Sequence, residues 1–188
     1  MLLKKKMPAF VKKEVLELQY LFVNYIICNI PIWIVRKLLY ICCGMRIGRK
    51  SRIMMKVKIY SPHKVIIGNR TVINEYCYLD GRGGISIGDD VTIATYAKLI
   101  TGSHDIDSED FRYRSRSIAV ENNCAVFSDA LVLGGAILHN GCVISAKSFV
   151  RAGEYNSNSI FAGNPAKLIR YRKNEAKYHQ ELISLLFR

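Results

Sequence analysis

Aliphatic side chains recur in the second half of the chain at a spacing of six residues. The series is Val120, Val126, Val132, Leu138, Ile144 and Val150. Four positions after each of the first five comes a small residue: Cys124, Ala130, Ala136, Cys142 and Ser148. A period of six is neither the period of about 3.6 of an α-helix nor that of about 2 of a strand. It predicts a parallel β-helix, in which the chain runs along the flat faces of a prism with one short strand on each face.

The same rhythm begins near Met45. Its earlier aliphatic positions are Ile47, Ile53, Ile59, Ile67, Ile73, Leu79, Ile87, Ile93 and Leu99. Two-residue slips separate the first three turns of the pattern, and a longer break runs from Thr101 to Ile118. Such a break in a solenoid is typical of a loop that leaves the coils on a functional face. We therefore predict a β-helix domain over residues 45–166, with an ejected loop at residues 101–118.

Residues 1–44 form a separate segment whose apolar positions recur every three or four residues, which predicts helices. Pro31 suits the start of a second helix, and Gly44 suits its end. Residues 18–35 carry no charge, so a membrane-spanning segment has to be considered, although polar residues and the Pro31 break oppose it. Two other interpretations remain open: a helical pair packed on protein alone, or one that also lies on anionic lipid. Residues 167–188 are basic and predict a short C-terminal helix.

The net charge of +13 is concentrated in the first third of the chain. Residues 1–64 hold 14 Lys and Arg against 2 acidic residues, whereas residues 65–188 hold 14 against 13. This distribution favours an acidic surface near the N-terminal segment, and no recognised nucleic-acid-binding module accompanies it. The six cysteines include no CxxC pair, and Cys77, Cys124 and Cys142 fall on the small position of the repeat. We therefore expect buried thiols in a reducing compartment and no zinc site.

The repeat, the segment Thr101-Gly102-Ser103-His104 and the closing Ala162-Gly163-Asn164-Pro165-Ala166 together resemble the hexapeptide-repeat acyltransferase superfamily. The similarity covers residues 45–173 and is greatest to galactoside, maltose and nodulation acetyltransferases and to acetyltransferases of surface-polysaccharide pathways. It implies an all-β fold, a left-handed parallel β-helix, between the N-terminal helices and the short C-terminal helix. Handedness rests on the resemblance alone, because crossovers between parallel strands are nearly always right-handed. The resemblance also implies acetyl-CoA as acyl donor, no metal, and a homotrimer with active sites between neighbouring subunits.

His104 matches the residue that acts as general base in the similar acetyltransferases, where it takes a proton from the acceptor hydroxyl. Imidazole suits this task because it titrates near neutral pH. Asn74 lies 30 residues earlier, the spacing of the family's substrate-binding asparagine, and an amide can both donate to and accept from a sugar hydroxyl. Asp80, Asp105 and Asp107 are further candidates for the acceptor pocket, and the last two also for orienting His104. Each candidate has an ordinary alternative as a solvated loop or turn residue.

The family's contacts with coenzyme A fall on Ser128, Ala146 and the segment around Arg151, largely through backbone groups. Backbone N–H groups suit a thioester carbonyl, because charge develops on its oxygen during transfer. Lys167 and Arg170 match basic family positions near the 3′-phosphate of coenzyme A. A solvated helix face would also explain these two basic residues.

The chain departs from the usual family pattern at three places. Val126-Phe127 stands where Ile-Gly is common, and Ala125 stands where a tryptophan is often found. Arg151-Ala152 replaces a frequent Thr-Lys pair. These departures concern the packing of the pantetheine arm and leave the expected reaction type unchanged.

The sequence therefore predicts an acetyl-CoA-dependent O-acetyltransferase that modifies a saccharide hydroxyl in the biosynthesis of a capsule, O-antigen or exopolysaccharide. Two alternatives remain: an N-acetyltransferase for a nucleotide-linked amino sugar, and a non-catalytic, membrane-associated β-helix scaffold. The expected partners are coenzyme A, a saccharide acceptor and further copies of the chain, with no nucleic acid. The expected location is cytoplasmic, and the N-terminal helices either contact the inner face of the membrane or pack on protein alone. The sequence leaves the acceptor sugar and the modified hydroxyl unspecified.

Overall fold

Helices lead into a stack of short strands in the structure of the protein, a computed structural model that describes residues 9–180. α1 Ala9–Leu21 is followed by a π-helical turn Phe22–Ile26, a 3₁₀ turn Ile27–Asn29, and α2 Trp33–Cys42. The first three coils comprise β1 Arg46–Ile47, β2 Arg52–Ile53, β3 Lys58–Tyr60, β4 Val65–Ile67, β5 Val72–Ile73, β6 Tyr78–Asp80, β7 Ile85–Ile87, β8 Thr92–Ile93 and β9 Lys98–Ile100. A hairpin of β10 Gly102–His104 and β11 Tyr113–Ser115 interrupts the coils. The remaining strands are β12 Ile118–Val120, β13 Ala125–Val126, β14 Leu131–Leu133, β15 Ala136–Leu138, β16 Val143–Ile144, β17 Phe149–Val150, β18 Gly153–Tyr155, β19 Ser159–Ala162 and β20 Lys167–Tyr171.

The strands of the coils stack into three parallel sheets, which each coil visits in the same order. The first sheet is β1-β4-β7-β12-β15-β18, the second is β2-β5-β8-β13-β16-β19, and the third is β3-β6-β9-β14-β17. Equivalent repeat positions pair across coils: Ile47 with Ile67, Ile67 with Ile87, and Ile87 with Val120. The chain is therefore a parallel β-solenoid, which confirms the prediction from the six-residue period. Equivalent positions stay paired on both sides of the two-residue slips and of the longer break, so these extra residues do not shift the register.

Three corners join the sheets. The first corner, between the first and second sheets, contains residues 48–51 and their equivalents in later coils. The second corner, between the second and third sheets, contains residues 54–57, 74–77, 94–97, 127–130 and 145–148. The third corner returns each coil to the first sheet. It holds the insertions of the first three coils, which are the 3₁₀ turns Pro62–Lys64 and Gly81–Gly83 and the β10–β11 hairpin.

The predicted repeat positions form the interior of the solenoid. Every aliphatic repeat position after Ile47 is at most 2 % exposed, and Ile47 itself is half-buried and packs against the core. The small positions are equally buried, from Ser51 in the first coil to Ser148 in the fifth. Full burial of an aliphatic side chain contributes roughly 1.5–3 kcal/mol. This interior column is therefore the main source of the solenoid's stability.

The N-terminal helices cap the open edge of the first coil. The side chain of Asn24 donates to the carbonyl of Ile59 at 2.9 Å and accepts from the N–H of Ile59 at 2.7 Å, in place of a neighbouring strand. Arg36 is fully buried and donates to the carbonyl of Ile53 at 3.1 Å. Burial lowers the pKa of the Arg36 guanidinium. These contacts occupy a sheet edge that would otherwise be open to strands of other chains.

The rest of the helical surface is largely apolar and exposed. Its large side chains, named here the apolar helical face, are Phe10, Val15, Leu16, Leu18, Leu21, Phe22, Tyr25, Ile26, Ile34, Val35, Leu38 and Ile41. In the part of the chain that the structure describes, no helix has the length and apolar character needed to cross a bilayer. So many large exposed apolar side chains on one helical segment favour an interaction site.

The C-terminal tail begins as a strand, so the predicted helix over residues 167–188 is wrong for the described part. β20 pairs antiparallel with β19 at the end of the second sheet. Residues 172–180 then continue without regular structure, and hydrogen bonds join them to Asn123 and Asp90. A helix does not form here because the preceding turn brings the tail onto an open sheet edge, where pairing satisfies its backbone groups. Residues 181–188, like residues 1–8 of the N-terminal segment, lie outside the described residues.

Cys77 and Cys42 provide a matched test of the small repeat position. Cys77 has no exposed surface at the second corner, whereas Cys42 is exposed at the end of α2, and both are free thiols. We expect Cys77→Leu to lower the free energy of unfolding by about 1–3 kcal/mol, because the larger side chain has no room inside the coil. Cys42→Leu should change it by less than about 0.5 kcal/mol. Urea unfolding followed by circular dichroism measures both values, and equal effects would contradict the interior assignment.

Candidate active site

The β10–β11 hairpin carries the predicted general base. Its strands pair antiparallel, with Gly102 opposite Ser115 and His104 opposite Tyr113. Gly102 at the start of β10 lies close to Arg82, since a Cβ there would be 2.6 Å from Nη2 of Arg82. The hairpin leaves the third coil beside this side chain, and most of its residues are exposed.

His104 is exposed and lies against two aromatic rings. Its imidazole stacks on Phe111 with ring centroids 4.6 Å apart and an interplanar angle of 7°, and it lies edge-on to Tyr113 at 5.7 Å. Phe111 has a left-handed backbone, with φ of 46°, and its N–H donates to the carbonyl of Ser108 at 3.1 Å. Among residues 9–180, no group hydrogen-bonds to either ring nitrogen of His104. Both nitrogens are therefore open to a substrate.

Asp105 is engaged within the hairpin. Its carboxylate lies 3.6 Å from Nε of Arg112 and 3.7 Å from Nη1 of Arg114, and its N–H donates to the carbonyl of Arg112 at 2.9 Å. Asp107 is exposed in the turn that follows. Neither carboxylate hydrogen-bonds to His104 within the described chain. Contact of either residue with an acceptor stays a prediction.

Asp80 lies below the hairpin and is fully buried. Its carboxylate accepts from Nε of Arg82 at 2.8 Å, from Nη2 of Arg82 at 3.0 Å and from the N–H of Gly102 at 2.8 Å. Burial alone would raise the pKa of Asp80, but the hydrogen bonds from Arg82 and Gly102 outweigh it and hold this pKa below its usual value. As placed, Asp80 presents no exposed oxygen to a sugar.

Asn74, Ser128 and Ala146 lie at the second corner, not at the corner of the hairpin. Nδ2 of Asn74 donates to the carbonyl of Ile93 at 3.0 Å, while its Oδ1 has no partner among the described residues. Ser128 is half-buried, and Ala146 is exposed. One chain thus carries the predicted asparagine and two predicted cofactor positions at one corner and His104 at another.

The basic candidates lie in two further places. Arg151 is exposed at the third corner, two coils after the hairpin, and Lys167 and Arg170 are exposed on β20. Arg170 lines a groove of about 520 Å³ together with Phe127 and Arg172. Guanidinium groups beside an aromatic ring suit a ligand that carries both phosphate and a planar base.

A cleft of about 180 Å³ adjoins β10 at the third corner. Its lining includes the hydroxyl-bearing residues Thr101, Ser103 and Ser115 and the arginines Arg114 and Arg116. Because Ser103 directly precedes His104, this cleft opens beside the strand that carries the imidazole. Hydroxyl and guanidinium groups can hydrogen-bond a polar or anionic ligand. Within the described residues, no group of three His, Cys, Asp or Glu side chains is placed to hold a metal ion.

Three residues near His104 received no functional role from the sequence. Arg82 places its guanidinium carbon 5.4 Å from the ring centroid of Tyr113, and Phe111 and Tyr113 both contact the imidazole. Gly81-Arg82-Gly83-Gly84 is visible as a glycine-rich slip, which signals a close backbone approach. The two aromatic residues gave no signal, because the loop that contains them has no periodic pattern.

Known proteins share this architecture. The hexapeptide-repeat acetyltransferase VCA0836 of Vibrio cholerae, whose structure holds acetyl coenzyme A, has a TM-score of 0.81 and 22 % identity, over 88 % of this chain and 92 % of that one. WcaF of Escherichia coli K12, assigned as an acetyltransferase of colanic acid biosynthesis, is 33 % identical over 129 residues, which are 69 % of this chain and 70 % of WcaF. This chain belongs to the hexapeptide-repeat acetyltransferase family. No family model matches it.

Other relatives of this hexapeptide-repeat acetyltransferase differ in their acceptors. WbbJ of E. coli K12, assigned as an O-acetyl transferase of lipopolysaccharide biosynthesis, is 23 % identical over 139 residues, 68 % of this chain and 70 % of WbbJ. An E. coli acyltransferase of dTDP-4-amino-4,6-dideoxy-D-glucose is 24 % identical over 161 residues, 69 % of this chain and 83 % of that enzyme. Family membership therefore gives acetyl transfer and leaves the acceptor atom, oxygen or nitrogen, open.

Proposed function

We propose that this acetyltransferase transfers the acetyl group of acetyl-CoA to a saccharide hydroxyl in surface-polysaccharide biosynthesis. The observation that carries the proposal is the exposed imidazole of His104, whose ring nitrogens have no partner among the described residues. A hydroxyl is a weak nucleophile near neutral pH and needs such a base. The assignments of WcaF to colanic acid and of WbbJ to lipopolysaccharide support a polysaccharide acceptor.

In the proposed reaction, His104 removes the proton of the acceptor hydroxyl while that oxygen attacks the carbonyl carbon of the thioester. The carbonyl oxygen of the tetrahedral intermediate carries negative charge, which nearby N–H donors stabilise. When the intermediate collapses, the carbon–sulfur bond breaks and the imidazolium gives its proton to the leaving thiolate. The products are an acetyl ester and coenzyme A, and the neutral base is restored.

We propose that the coenzyme A groove is formed by the second corner, the segment around Arg151 and the C-terminal strand. Ser128, Ala146 and the segment around Arg151 would contact coenzyme A largely through backbone groups, and Lys167 and Arg170 would contact its phosphate groups. The groove of about 520 Å³ that Arg170 lines supports the phosphate end of this path. Guanidinium and ammonium groups form charge-assisted hydrogen bonds with phosphate.

The active site of this proposal is shared between neighbouring chains of a homotrimer. His104 stands at the third corner of the prism and Asn74 at the second, so within one chain the third sheet lies between them. Packing the third corner of one chain against the second corner of another would bring the two side chains together. Repeating that contact by threefold rotation closes a ring with three equivalent sites.

His104→Ala tests the proposed base. We expect turnover to fall by about 10²- to 10⁴-fold, the usual contribution of a positioned general base, with the KM for acetyl-CoA changed by less than about twofold. The loss should shrink as the pH rises, because more of the acceptor hydroxyl ionises without help. Thiol release from acetyl-CoA, with free, nucleotide-linked and lipid-linked saccharides, measures the rate.

His63→Ala is the control, because His63 is exposed at the same corner two coils earlier. It should leave turnover within about twofold of wild type. More than about a tenth of wild-type turnover in His104→Ala would contradict the assignment of the base.

Treatment of the product with mild alkali identifies the acceptor atom, since alkali releases acetate from an ester and not from an amide. An alkali-stable product would therefore point to an amine acceptor.

Mixed trimers test the shared site. His104→Ala and Asn74→Ala, co-expressed in equal amounts, should regain about one quarter of wild-type activity, because random assembly pairs an intact His104 with an intact neighbouring Asn74 at one site in four. The activities of the purified mixture and of each single variant give the comparison. Co-expression of His104→Ala with the double variant should give no recovery. A mixture no more active than the sum of its parents would mean that both residues act within one chain.

We also propose that the apolar helical face lies on an anionic membrane surface at the cytoplasmic side. The twelve exposed apolar side chains of this face support the contact, and so does the surplus of basic residues in residues 1–64. Each basic residue near such a surface contributes about 1 kcal/mol. The free cysteines agree with a reducing compartment.

Leu18→Asp and Leu38→Asp test the membrane contact, since these side chains are 64 % and 57 % exposed on the two helices. Sedimentation with phosphatidylserine–phosphatidylcholine vesicles at low salt should fall at least about threefold in the double variant. Ile106→Asp is the control, because Ile106 is 76 % exposed on the hairpin, and it should sediment like wild type. If the wild-type chain does not sediment with these vesicles, or if the double variant loses its oligomeric state, the apolar helical face packs on protein instead.

A further inference from the structure

A buried ion pair below the hairpin holds the strand that carries His104. Asp80 ends β6 with no exposed surface, and its carboxylate accepts from Nε and Nη2 of Arg82 at 2.8 and 3.0 Å. The same carboxylate accepts from the N–H of Gly102, the first residue of β10, at 2.8 Å. His104 follows two residues later. The position of β10 is therefore tied to Asp80.

The guanidinium of Arg82 reaches the other strand of the hairpin. Its central carbon lies 5.4 Å from the ring centroid of Tyr113 in β11 and 5.4 Å from that of Tyr60 in β3. A cation over an aromatic face is attracted to the ring. Tyr113 is the cross-strand partner of His104, and its ring lies 5.7 Å from the imidazole. A single ring thus separates the ion pair from the proposed base.

Close packing at Gly102 accompanies this arrangement. A Cβ on Gly102 would lie 2.6 Å from Nη2 of Arg82 and 3.0 Å from Oδ2 of Asp80, so a larger residue would require the guanidinium to shift. The hydroxyl of Thr101 donates to the carbonyl of Asp80 at 2.5 Å and accepts from the N–H of Gly83 at 2.7 Å. The base of the hairpin therefore has little freedom to move relative to β6.

A second ion pair of the same geometry shows what is particular to this one. At the first corner, Nε and Nη2 of Arg70 donate to the two carboxylate oxygens of Asp90 at 2.8 and 2.7 Å. The other partners of Asp90 are His179 and Gln180 in the C-terminal tail. Both ion pairs lie at corners of the solenoid. The Asp80–Arg82 pair contacts the hairpin, whereas the Arg70–Asp90 pair contacts the C-terminal tail.

We infer that Asp80 and Arg82 are positioning residues, which set the place and orientation of the His104 imidazole relative to the acceptor. The inference rests on the proposed role of His104 as general base. It assigns Asp80 an indirect part in the reaction, since the carboxylate is enclosed, whereas the imidazole it positions is exposed. Positioning of a reacting group matters because a displacement of about 1 Å can cost about 10²-fold in rate.

Asp80→Asn and Asp90→Asn are matched variants, because each keeps the shape of the side chain and removes one charge from a bidentate pair. We expect kcat to fall by about 10- to 100-fold in Asp80→Asn, with the KM for acetyl-CoA within about twofold, and to stay within about twofold in Asp90→Asn. Arg82→Lys keeps the positive charge but cannot donate the two parallel hydrogen bonds of a guanidinium, so its kcat should lie between those of wild type and Arg82→Ala. If Asp80→Asn does not fold, Arg82→Gln gives the same measurements, since the Arg82 side chain is 45 % exposed.

Hydrogen exchange of residues 102–115 gives a readout that does not depend on acetyl transfer. Exchange of these amides should accelerate at least about tenfold in Asp80→Asn and stay unchanged in Asp90→Asn. Wild-type values of both kcat and hairpin exchange in Asp80→Asn would overturn the inference. A higher KM for the acceptor at unchanged kcat would also overturn it, since it would indicate direct sugar binding by Asp80. If wild type transferred no acetyl group, the proposed function would fail, and unchanged hairpin exchange would still refute the positioning.

Discussion

Pairing between equivalent positions of successive coils constrains the rest of this structure. Each interior aliphatic residue stacks on its equivalent in the next coil, so residues in excess of the repeat have no place inside the prism and must leave at a corner. In the first three coils they leave at the third corner, as two 3₁₀ turns and then as a hairpin. His104 is exposed for this reason, because it belongs to the segment that the core excludes. At the two ends of the stack, other groups pair with the backbone of the outermost coils. These are the side chains of Asn24 and Arg36 at the first coil and strand β20 at the last.

The same constraint separates the parts of the proposed site. Within one chain the third sheet separates Asn74 at the second corner from His104 at the third corner. The proposed homotrimer would bring these two corners together between neighbouring chains. Such an arrangement would also require firm attachment of the hairpin. A base that works on a substrate held partly by another chain depends on its own chain to fix its place, and the buried Asp80 carboxylate lies where it can do so.

Much of the fold could be predicted from the sequence, because a strict period leaves one solution for the interior. Ile53, Leu99 and Val132 lie where the six-residue rhythm puts them, and so does Cys77 at the small position. The C-terminal tail could not be predicted in the same way. Its helix-like composition is overridden by an open edge that exists only in the folded solenoid.

The candidate site was less accessible to sequence reasoning. His104 could be singled out from its place at the start of the break, but its neighbours Phe111 and Tyr113 come from a segment without periodicity. Asp80 was visible as a polar residue at a turn, and the sequence could not show that Arg82 and Gly102 enclose it. Burial and partner choice depend on which coils are stacked, and that information appears only in three dimensions.

A crystal structure of the protein with coenzyme A would show whether the active site is shared between chains. We expect a homotrimer in which the coenzyme A sulfur lies beside the imidazole of His104 of one chain, while the pantetheine arm follows Ser128 and Ala146 of its neighbour and that neighbour's Asn74 faces the same cavity. A sulfur bound far from His104, or a complete site built from the corners of a single chain, would contradict it.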